Sequence, residues 1–141
     1  MAVVKTVMKN TPVEVVVKVQ GTAAAATISL ATDLLASTEV IEGTPSASIS
    51  GVVWSGGVDG IVQITRNSVV IMTLQTTAAG MMEFNGQMMI PDNIEATSDI
   101  VVTISGAQCE CWLRIKKNTG YKSKIETSVF GQYDDPTKAG E

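Results

Sequence analysis

Residues 13–20, VEVVVKVQ, decide the fold class. In an extended chain Val13, Val15, Val17 and Val19 share one face, while Glu14, Lys18 and Gln20 share the other. Successive side chains of a strand point to opposite sides, so this is the pattern of a half-buried strand. Valine fits it well, because a branched Cβ suits a pleated surface. Gly21 ends the strand, and Pro12 separates it from AVVKTVMK, which reads as an earlier strand or an extended arm.

The same alternation recurs along the chain. Ile28 and Leu30 are in phase in TISLA, and SASISGVVW and IVQITR read as strands. VVIMTLQ places Val70, Met72 and Leu74 on one face, and DIVVTIS does so with Ile100, Val102 and Ile104. In MMEFNGQMMI, Asn85-Gly86 between two apolar runs calls for a two-residue hairpin, whose central positions need positive φ. The methionines flanking it, Met81, Met82, Met88 and Met89, divide between a core face and a pliable surface. TDLLAS has Thr32 where a helix cap would stand, but it is too short for an independent helix. Short strands at this spacing, without alternating long helices, predict an all-β antiparallel β-sandwich, jelly-roll or immunoglobulin-like, with extended terminal arms. We expect an N-terminal arm or edge strand over residues 1–12, the sandwich over 13–119 and a C-terminal docking arm over 120–141.

Length and composition agree with one domain. The chain has 141 residues and is 45% apolar but only 17% charged. Charge is unevenly placed. Between Val19 and Leu113 the single base Arg66 faces nine acids, whereas Arg114, Lys116, Lys117, Lys122 and Lys124 cluster near the end. An acidic body with basic ends can pair head to tail with copies of itself. Net charge is −4, and no basic stripe interleaves with aromatics, which argues against nucleic acid as a partner. No stretch approaches the length of a membrane span, and the first ten residues lack a secretion signal's apolar segment.

Chemistry-bearing patterns are sparse. There is no histidine, so Ser/His/Asp and Cys/His constellations are excluded and no enzyme is expected. Cys109 and Cys111 are the only cysteines, too few for a closed zinc site. Two apart on a strand, they line up with Leu113 and Ile115 as small buried hydrophobes. Asp92, Glu95 and Asp99 offer oxygens for calcium but lack EF-hand spacing. WSGGVDG is Gly-rich without the lysine of a phosphate-binding loop, and reads as a turn. No catalytic residue, cofactor or metal ligand is assigned.

Recognition is the better-supported role. Glu110, Trp112, Arg114 and Lys116 fall opposite the cysteine face. A tryptophan there calls for cover, from the tail, a second subunit or a two-sided core. The tail, GYKSKIETSVFGQYDDPTKAGE, holds Tyr121, Phe130 and Tyr133, half of the six aromatic residues, beside Lys122 and Lys124. Disordered ends are poor in aromatics, so this composition reads as a docking arm. Trp54, beside Ser55-Gly56-Gly57, is the candidate for an alternative role in stacking on a glycan.

GVVWSGG, GIVQITRN, EFNGQ, SDIVVTISG, WLRIKK and the tail together resemble small virion structural proteins of tailed bacteriophages. The resemblance covers most of the chain and is one of general style. It implies a capsid decoration or cement protein, or else a tail or neck component. It further implies the major capsid protein as partner, self-association, for which a trimer suits, and a place on the capsid exterior after assembly in the host cytoplasm. Trp112, Arg114, Lys116, Tyr121, Lys122, Lys124, Phe130 and Tyr133 are the residues expected to carry partner contacts.

Overall fold

Nine strands run through residues 3–83 and 96–123, the part of the chain that a computed structural model describes. They are β1 (Val4–Asn10), β2 (Glu14–Gly21), β3 (Ala24–Ile28), β4 (Glu39–Gly56), β5 (Ile61–Arg66), β6 (Val69–Gln75), β7 (Gly80–Glu83), β8 (Ile100–Ser105) and β9 (Cys109–Ser123). All pairings are antiparallel. One sheet has the order β1-β2-β9-β4-β7 and the other β3-β8-β5-β6. The protein is therefore the β-sandwich that the alternation predicts.

The pairing order also separates the two topologies left open by the sequence. β5 pairs with β6, β4 with β7, β3 with β8 and β2 with β9. These nested pairs are one long hairpin rolled over two sheets, which is the jelly roll. β1 adds an outer strand to β2. A bulge between Val7 and Lys9 interrupts this outer strand, and irregularities and lysines of this kind are what natural sheets carry at their edges.

The core fills as the phases dictate. Val15, Val17 and Val19 from β2 and Cys109, Cys111, Leu113 and Ile115 from β9 are buried. They face Val62 and Ile64 of β5 and Ile100, Val102 and Ile104 of β8. Each large aliphatic side chain removed from water this way contributes about 1.5–3 kcal/mol.

Two local readings, at Val13 and Val70, change, and those at Thr32 and WSGGVDG are sharpened. Val13 precedes β2 and is 63% exposed, because Thr11 turns the chain there and accepts the Glu14 amide at its hydroxyl. Thr32 caps no helix. Residues 29–35 form turns in which Asp33 accepts the Ser29 amide at 2.8 Å, and Leu30 and Leu34 plug the sandwich end. Val70 does not share the Leu74 face, because the register shifts between Ile64 and Thr65 and turns Val70 outward. WSGGVDG is tied down, with Gly57 donating to the Gln108 carbonyl and Thr76 to the Gly60 carbonyl.

β4 is the largest departure. It starts at Glu39, well before the expected SASISGVVW, because its breakers Gly43 and Pro45 sit in a bulge. Register passes from Ile41↔Tyr121 to Ser46↔Thr119 across that bulge. Gly120 makes it possible, with φ +89° and the Pro45 backbone where a Cβ would lie. β9 consequently continues to Ser123, and residues 120–123 of the expected arm belong to the sheet. The Asn85-Gly86 hairpin and the rest of the arm lie outside the described residues.

Candidate interaction surface

The outer face of the five-stranded sheet is built around β9. Trp112 stands opposite Lys18 of β2 on one side and Val53 of β4 on the other, and Val53 in turn faces Met81 of β7. In the next row Val16, Arg114, Gly51 and Glu83 follow one another across the same strands. Gly51 has no side chain to fill the space between its neighbours. The result is a shallow groove of about 350 Å³ with Val16, Val53, Met81 and Trp112 as its apolar surface. Val53 is 43% and Met81 68% exposed.

Charged groups frame it. Arg114 donates to Glu14 and Glu83, bridging β2 to β7 across the groove. The Lys18 ammonium lies 5.8 Å from the Trp112 ring centroid, in cation–π range, and 3.8 Å from Glu110. Exposed pairs of this kind add little stability, about 0–1 kcal/mol each, so they orient more than they stabilise. Trp112, Arg114 and Lys116 thus share one face as read from the sequence, and Trp112 is only partly covered.

The other expected contact residues go elsewhere. Tyr121 packs against the core, its hydroxyl donates to the Leu30 carbonyl, and Lys117 sits 5.0 Å from its ring. Burial pushes the phenol well above its ordinary pKa; Glu39 and Asp99 add to this and Arg66 opposes it. Lys122 is exposed, 3.5 Å from Glu42. Lys124, Phe130 and Tyr133 lie outside the described residues, as do Asp92, Glu95, Met88 and Met89. Trp54 is not an open platform. Its indole N–H donates to the Gln75 carbonyl at 3.2 Å, and its ring lies where a Cβ on Gly80 would stand.

Cys109 and Cys111 are free, buried thiols on the core side. Burial raises the Cys111 thiol from 9.0 to about 12. Among the described residues no three His, Cys, Asp or Glu side chains gather as a metal site. Asp99 accepts the Leu30 amide at 3.0 Å.

Sequence reasoning missed the groove's other walls. Val16 was the available signal, an apolar residue in the polar phase of β2. Gly51, Val53, Met81 and Glu83 arrive from strands whose order periodicity does not give. It also missed the buried charges. Lys117 and Glu39 form an ion pair inside the sandwich, where Lys117 also donates to Asn10 at 2.8 Å. Arg66, fully buried, donates to the carbonyls of Ala47, Ala96 and Ser98.

Comparison with known proteins yields no match to a protein-family model, a curated protein or a solved structure.

Proposed function

We propose that this chain is a non-enzymatic structural protein of a phage particle, a decoration or cement protein on the capsid exterior. In this reading the major capsid protein is its partner, and copies of the chain associate with one another. The observation that carries the proposal is the Trp112 groove: an apolar surface that the described residues leave open, on a sandwich where their buried side-chain polar atoms all have hydrogen-bond partners. A patch of aromatic, Met and aliphatic surface rimmed by charge is the composition of a protein-binding site. The second sheet adds support. Its outward rows, including Ala25, Thr27, Val101, Thr103, Ile61, Gln63, Thr65 and Thr73, carry no charge, so laying them against another surface desolvates no ion. Many copies on a shell multiply modest contacts through avidity.

Mass-spectrometric composition of purified particles tests the proposal. Recovery at a stoichiometric copy number is the expected result, and absence from clean virions would overturn it. The glycan alternative loses ground at Trp54, whose N–H and one ring face are occupied. Binding on a glycan array that disappears in Trp54→Ala would restore it.

A further inference from the structure

We infer that the Trp112 groove receives the C-terminal segment of a second copy of this chain, with Phe130 or Tyr133 as the anchor. The inference rests on the self-association part of the proposal above and names the surface responsible. Two observations lead to it.

The first is reach. β9 runs from the groove toward Ser123, so at Ser123 the chain is travelling away from Trp112. Trp112 and Ser123 are 11 steps apart on the strand, roughly 36 Å at about 3.3 Å per residue. Phe130 lies seven residues beyond Ser123 and can reach at most about 25 Å from it. Tyr133, ten residues beyond, would need full extension of about 36 Å with nothing spent on reversing direction. Phe130 therefore falls short of its own groove and Tyr133 reaches it only with the tail almost fully drawn out, whereas a neighbour's groove carries no such limit.

The second is fit. The groove's about 350 Å³ suits one or two aromatic rings, and its apolar wall meets the quadrupole-bearing faces such rings present. SVFGQYDD carries both rings within four residues, so one short segment can bring either to the groove.

Arm into groove is a heterologous contact, the kind that closes into rings or extends into chains.

Trans-complementation of two full-length variants tests this by sedimentation. Gly51→Leu fills the groove, since a Cβ there meets its neighbours only at ordinary distances of 3.4 Å and beyond. Phe130→Ser/Tyr133→Ser removes the anchors. Each alone should weaken self-association by about 30-fold or more, the loss of a hot spot of about 2 kcal/mol. Mixed, they should form a 1:1 pair, because one supplies a groove and the other an arm. If Gly51→Leu fails to fold, Met81→Lys, at a 68% exposed position, replaces it. A monomeric wild type, or variants that associate like wild type, or a mixture that forms no pair, would each overturn the inference. The virion proposal is judged separately: a chain monomeric in solution yet present on particles sinks only the arm pairing, and a complementing chain absent from particles sinks only the virion reading.

Discussion

Between Cys109 and Ile115 the inward side of β9 is thiol and hydrocarbon; at Lys117 and Tyr121 the same side carries an ammonium and a phenol. One strand thus closes the sandwich in two ways. At the first end Cys111, Leu113 and Ile115 need only volume and apolar neighbours, and the Cys109 thiol donates to the carbonyl of Ala107, two residues away. At the second, each polar group needs a particular partner from far along the chain. Lys117 finds Glu39 and Asn10, and Tyr121 finds the Leu30 carbonyl. Arg66 spans the nearby carbonyls of Ala47, Ala96 and Ser98. Alternation decides which way a side chain points. Whether a charge can remain there is decided by what the other strands bring.

The largest expected effect breaks the polar end. Glu39→Ala leaves the Lys117 ammonium buried without its carboxylate and should cost about 3–5 kcal/mol, measured by urea unfolding. Glu39→Leu combined with Lys117→Met should recover most of that loss, because two apolar groups need no pairing. A double variant as unstable as the single would show that the pair does more than neutralise itself. At the apolar end Leu113→Ala should cost about 3 kcal/mol through lost burial and a cavity, with no second-site charge able to restore it.

Alkaline pH sharpens the comparison next, because both ends hold a group whose proton is retained by burial. Cys111 is raised from 9.0 to about 12, and Tyr121 is raised above 10.0. Below pH 9 both are protonated whether folded or unfolded and contribute nothing. Above it the unfolded chain releases the thiol proton first while the folded chain keeps it, so stability falls as pH rises. The slope reaches at most about 1.4 kcal/mol per pH unit for each such group. Cys111→Ala should flatten the onset near pH 9 and leave the later phenol contribution. An unchanged onset would exclude Cys111 as its source.

Smaller effects follow. Tyr121→Phe removes the donor to Leu30 and should cost about 1 kcal/mol. Lys122→Ala loses only an exposed pair and should shift stability by about 0–1 kcal/mol, read as the change in urea midpoint. A large loss in Lys122→Ala would erase the distinction between inward and outward positions at this end of β9.

Legibility in the sequence followed the same division. The inner face of β8 and the Cys109–Ile115 half of β9 were readable because alternation alone places them. The Trp112, Arg114 and Lys116 face was readable for the same reason. Val70 and Val13 were misplaced where a register shift and a Thr11 turn interrupt the alternation. The first half of β4 was missed because Gly43 and Pro45 resemble a loop until β9, with Gly120, is laid against them. The groove was only half visible, since one strand supplies Trp112 and Arg114 and three others supply the remaining walls.

By itself the sequence determined that this is an antiparallel sandwich, which side chains of each unbroken strand face inward, and that Trp112 lies opposite the cysteines. These are local consequences of a two-residue period, set within each strand. Only the tertiary structure decided that the sandwich is a jelly roll, that Glu39 and Lys117 meet in its interior, and that Gly51 opens a groove beside Trp112. Those depend on which strands pair and in what register, a choice made by contacts between residues up to 107 positions apart.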